Sequence, residues 1–180
     1  MTTGNHRQPD PTATPDTLAT GTGVAYLALW ALTAASAAAT AAGGPAGALA
    51  RPHDALTETP GTALQLLAHN APVVLWPLAL TALGWPAIPL ARRIGDALIV
   101  GQIAAHALVV GQALGQQPLI WPYLPHLPLE WLTIALPAGA WIAARRHGAA
   151  GLTRLASVAA ATLLALALAA VTETYLVPVA

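Results

Sequence analysis

Five stretches of about twenty apolar residues, separated by short polar or Pro/Gly-rich segments, restrict what this chain can fold into more than any other feature. They lie near 24–42, 63–83, 94–115, 127–144 and 155–177. A helix of about 20 residues crosses the roughly 30 Å hydrocarbon layer of a bilayer. Inside that layer the backbone must satisfy its own hydrogen bonds, so blocks of this kind fold as helices. Charge points the same way. Only 8% of residues are Asp, Glu, Lys or Arg, whereas a soluble domain carries about 25% and needs them to cover its surface. The expected fold is an all-α, polytopic membrane helical bundle with about five transmembrane helices.

Arginine sets the expected orientation. With the N-terminus inside and the helices alternating, Arg7, Arg92, Arg93, Arg145, Arg146 and Arg154 fall inside and Arg51 alone falls outside, a positive-inside pattern. This predicts an N-in/C-out protein of the cell membrane. Trp85 and Trp141 then sit near the inner interface and Trp121 near the outer one. Residues 1–20, rich in Thr, Pro and Asp, read as a disordered cytoplasmic tail, and 21–180 as the membrane domain. Ala37, Ala39 and Ala41 resemble a signal-peptide cleavage site, but Asp10 and Asp16 outweigh Arg7 in the preceding segment. The first block is therefore read as an uncleaved helix.

Several chemistries are argued against, while an export or immunity component stays open. The formal net charge is zero, which argues against a nucleic-acid partner. With no Cys in the chain, disulfides, zinc–thiolate sites and thiol nucleophiles are impossible. There is no phosphate-binding loop and no G-x-S-x-G elbow. No inverted pair of broken helices marks a transporter. Pro72 and Pro77 are expected to kink the second helix and free backbone carbonyls. Gly95 and Gly101, with Ala104 and Ala105, are expected to permit close helix contact.

What remains is a short set of polar residues in places where they are expensive. An ionisable group at the centre of a span costs about 2.5–3.5 kcal/mol on insertion scales. The candidates are His69, Asn70, Asp96, His106, His126, Glu130 and Glu173. Alternating topology puts His69 and Asn70 in the outer third of the second helix. His126 and Glu130 fall at the outer end of the fourth, and Glu173 one turn below the outer end of the fifth. His106 is near mid-depth and Asp96 at the inner end of the third. His126 and Glu130 are four apart and share a helical face. Three uses of the outer group are open. It can be polar glue between helices. It can be a pocket for a partner helix or peptide, formed by Asn70, His126, Glu130 and Glu173. It can be a Zn²⁺ site drawing on His69, His126, Glu130 and Glu173 with an open water position.

The fourth and fifth blocks carry a resemblance. Pro125-His126-Leu127-Pro128-Leu129-Glu130, then Ala138-Gly139-Ala140 and Ala144-Arg145, and Glu173 followed by Pro178 near the C-terminus, resemble the stage II sporulation protein M family. Asn70 matches an Asn that opens a central helix in that family. The resemblance spans roughly residues 60–180. Leu127 stands where the pattern has Gly, Gly95-Asp96 where it has Asn-Gly, and the loop between the first two helices is short. The resemblance implies a membrane accessory or scaffold protein, either with peptidoglycan-degrading partners or in the maturation, export or immunity of a ribosomally made peptide. Glu130 and Glu173 would be its key residues, with His126 orienting Glu130. The alternative is an intramembrane metallopeptidase or maturation factor, in which one of these two glutamates is the catalytic base beside the metal.

Overall fold

In a computed structural model of the chain, residues 15–44, 59–116, 124–148 and 150–176 are described. The tail before residue 15, the polar loop around Arg51, Trp121 and Pro178 lie outside them. The described residues form five α-helices and one short 3₁₀ turn: α1 Pro15–Ala41, α2 Pro60–Ala82, η1 Trp85–Ala87, α3 Pro89–Gln116, α4 Leu127–His147 and α5 Leu152–Leu176. Each of the five is long and apolar enough to cross a membrane. Leu27, Val100 and Leu164 are each more than 60% exposed. Large apolar side chains in such positions suit lipid, not water, so the chain is a multi-pass helical membrane protein.

Four of the five helices start earlier than hydropathy alone indicates, and α4 starts at Leu127 as expected. α1 begins at Pro15, nine residues before Val24, and Leu18 packs against the core beside Leu155 and Val158. Residues 15–20 are therefore helix and not tail. α1 is also built into the bundle, since Leu29 and Thr33 are fully buried between its neighbours. α2 opens with Thr59, whose hydroxyl accepts from the Thr62 amide, an N-cap that satisfies an otherwise orphaned donor.

Helix directions follow from who meets whom. The Ser36 hydroxyl of α1 donates to the Leu108 carbonyl of α3 at 3.2 Å, and further along Thr40 lies against Gly115, so these two helices run parallel. α1 and α4 run opposite, because Gly21 faces Gly139 while Trp30 packs edge-on against Trp131 with ring centroids 6.4 Å apart. Glycine allows these approaches. A methyl on Gly111 would sit 2.5 Å from the Thr33 carbonyl oxygen, and one on Gly115 2.5 Å from that of Ala37. Gly111 and Gly115 are four apart, the small-xxx-small spacing that lets backbones touch. Gly95 likewise lies flat against the Trp141 ring, but Gly101 is open and mediates no close contact.

α4 is the central element. In its most apolar 18-residue window 67% of residues are buried, against 17–22% in α1, α2 and α3. α1 and α4 share a broad surface, α5 covers α4 and α2, and α2 and α3 touch only sparsely. α4 ends at Gly148, whose φ of +90° favours glycine. Its last turn carries Arg145, Arg146 and His147, which complement the negative end of the helix dipole.

Candidate functional site

The start of α4 positions the site. His126 directly precedes the first turn, and Pro128 lies within it, where a missing N–H costs no intrahelical bond. One turn later Glu130 shares the His126 face. α5 runs back along α4 and brings Glu173, near its C-terminal end, to the same place. One imidazole nitrogen and one oxygen from each carboxylate all lie within 4.8 Å of one another. His126 is buried and the two glutamates are half-buried.

No hydrogen bond joins these three side chains. His126 Nε2 and Glu130 Oε2 are 4.0 Å apart, too far for one, so His126 does not orient Glu130 by direct bonding as expected. Its Nδ1 is fully buried and without a hydrogen-bond partner. Burial holds His126 below the ordinary imidazole range, and the charge of Glu173 opposes this in part. Burial thus favours the neutral ring over the charged one. Two ionised carboxylates at such a separation repel by on the order of 3–4 kcal/mol at an effective dielectric of about 20. The centre needs a compensating positive charge, either a proton or a cation. The described arginines Arg92, Arg93, Arg145, Arg146 and Arg154 cannot supply it, because all lie toward the opposite end of the bundle.

Glu130 also borders a cavity of about 60 Å³ that reaches between α2 and α3. Asn70 and Val73 line it from α2, His106 from α3, Thr133 and Ile134 from α4, and Leu166 from α5. That volume accommodates a few waters, each of which needs roughly 10–15 Å³. Asn70, His106 and Glu130 thus share one space, although the alternating topology had put His106 nearer mid-depth than the other two. His69 does not join them. It follows Ala68 on the exposed side of α2, and consecutive helical residues point about 100° apart. With Asn70 turned inward, His69 turns out, so it is not among the grouped ligand atoms.

The remaining expensive polar groups are structural. Asp96 Oδ1 accepts from Trp141 Nε1 at 2.8 Å and pairs with Arg145 at 2.9 Å. Trp141 is thus a buried cross-link between α3 and α4, and not an interface anchor. Pro77 has no amide hydrogen and leaves the Val73 carbonyl without its helical donor, and Gln102 Nε2 of α3 donates to it at 2.8 Å. His106 Nδ1 meets the Gln102 carbonyl at 2.9 Å. Sequence reasoning missed Gln102, Thr133 and Trp131. A Gln within an apolar span was the available signal for the first.

Comparison with known proteins leaves the geometry to speak for itself: no family model, no curated protein and no solved structure matches this chain.

Proposed function

We propose that the chain is an accessory protein of the cell membrane of the stage II sporulation protein M type. In this reading its arginine-rich end faces the cytoplasm. Its His126–Glu130–Glu173 centre faces outward and receives the apolar segment of a partner protein or peptide. The observation that carries this is the convergence of His126, Glu130 and Glu173 from α4 and α5, with Glu130 also lining a cavity bordered by α2 and α3, helices that barely touch. Polar glue would make direct hydrogen bonds, and His126, Glu130 and Glu173 make none with each other. A partner would lie along the seam between α2 and α3, with its polar atoms turned to Glu130.

A photo-crosslinking side chain at position 73, on that seam, tests the reading in intact membranes, with position 100 on the lipid-facing side of α3 as control. Position 73 should yield a discrete protein adduct that Glu130→Gln with Glu173→Gln abolishes. The same adducts from both positions, or adducts indifferent to the double substitution, would overturn it.

A further inference from the structure

Two carboxylates and an imidazole held together at the edge of a membrane have a specific chemical requirement. Glu130, Glu173 and His126 place three ligand atoms within 4.8 Å of one another. Metal–ligand bonds of about 2.0–2.2 Å set tetrahedral ligand separations of about 3.4 Å. Side-chain adjustments of about 1 Å therefore bring all three onto one ion. Both glutamates have free rotation to make that adjustment, because neither carboxylate is committed to a hydrogen bond or to an arginine among the described residues.

His126 supplies an independent indication. It is only 8% exposed, and its Nδ1 is buried with no partner while Nε2 faces Glu130. Neither ring nitrogen makes a hydrogen bond among the described residues, which leaves the imidazole uncommitted beside the acidic pair. Charge balance selects the class. Two carboxylates and a dication sum to zero, which suits a medium that penalises net charge. The C-terminal end of α5 adds the partial negative charge of its last carbonyls beside Glu173.

We infer that His126, Glu130 and Glu173 bind one divalent transition-metal ion, of the zinc or manganese kind, with a fourth position turned to the hydrated cavity beside Glu130. One imidazole and two carboxylates suit these borderline-to-hard ions. Three protein ligands and one open position match the pattern of sites that exchange water or a substrate oxygen. This inference stands apart from the partner reading, because metal binding is measurable on the purified chain alone.

The test uses the full chain in detergent, stripped with a chelator and then equilibrated with Zn²⁺ or Mn²⁺. Elemental analysis after desalting should find about one ion per chain. Glu130→Gln, Glu173→Gln and His126→Ala should each weaken binding at least about tenfold, and His69→Ala should leave it unchanged. Helicity by circular dichroism checks that each variant folds. Independently of any variant, the cobalt-substituted protein should show visible bands, and X-ray absorption should show nitrogen and oxygen ligands with a single imidazole. Absence of stoichiometric metal, retention of metal by the Glu130→Gln/Glu173→Gln double variant, or a spectrum requiring two or more imidazoles would each overturn the inference. The first of these outcomes would assign the compensating charge to a shared proton.

Discussion

Asp96→Ala is the most informative perturbation of the bundle, because a single oxygen serves two donors of very different burial. Asp96 Oδ1 accepts from the Trp141 indole at 2.8 Å and from the Arg145 guanidinium at 2.9 Å. Trp141 is 1% exposed, so its N–H cannot turn to water once the acceptor is gone. An orphaned buried donor costs about 1–3 kcal/mol. The Arg145 side chain is 41% exposed, and ion pairs of that kind contribute about 0–1 kcal/mol. Interhelical hydrogen bonds measured in membranes average about 0.6 and reach about 1.7 kcal/mol, which caps the indole share. Asp96→Ala should therefore destabilise by about 2 kcal/mol, and Asp96→Asn, which keeps an acceptor, by about half that. Reversible unfolding in mixed micelles titrated with SDS and followed by far-UV circular dichroism reads these differences. A double-mutant cycle with Trp141→Phe should give a coupling of about 1–1.7 kcal/mol, and one with Arg145→Ala less than about 0.5. A larger coupling to Arg145 than to Trp141 would refute the argument that burial, and not charge, gives this link its strength.

Other expectations are more compact. Gln102→Leu should cost about 1 kcal/mol in the same assay, and much less in a Pro77→Ala background, where residue 77 regains an amide for the Val73 carbonyl; equal costs in both backgrounds would discard the carbonyl-capping role. Gly139→Val should weaken the α1–α4 crossing by about 1–3 kcal/mol, since even a methyl there would lie 2.6 Å from the Thr22 backbone nitrogen, whereas Gly101→Ala, which meets nothing, should be neutral or slightly stabilising. Because the chain has no cysteine, single substitutions report topology cleanly. A membrane-impermeant maleimide should label Pro125→Cys in intact cells and leave His147→Cys unlabelled until the membrane is opened, and the reverse pattern would invert the proposed orientation.

The five helices were legible because lipid imposes a length and a polarity that few sequences meet by accident. Their starts, apart from that of α4, were not. Hydropathy marks the lipid-embedded part of a helix, whereas backbone hydrogen bonding carries α1 back to Pro15 and α3 back to Pro89. The shared face of His126 and Glu130 followed from a spacing of four, and antiparallel packing of α4 and α5 then brought in Glu173. Membership of the site failed where it depended on rotation about a helix axis: His69 and Asn70 are neighbours in sequence, yet only Asn70 reaches the cavity. Tertiary register hid the rest. Nothing local says that Asp96 finds an indole 45 residues away, or that Gln102 lies beside a proline-freed carbonyl. Glycine spacing was visible at 111 and 115 as well as at 95 and 101, but only the facing helix decides which pair is used.

The distribution of helix contacts also bears on how the protein is made. Spans enter the membrane in chain order, and each meets only what precedes it. α3 finds α1 already in place, and α4 then finds its broadest neighbour in α1 too. α2 is the exception. Its largest shared surface is on α5, the last of the five to be synthesised. Until then it carries Asn70, two prolines and the freed Val73 carbonyl through lipid, with the Gln102 amide of α3 as its early hydrogen-bond partner. A chain interrupted before α5 would lack the helix on which α2 has its largest shared surface.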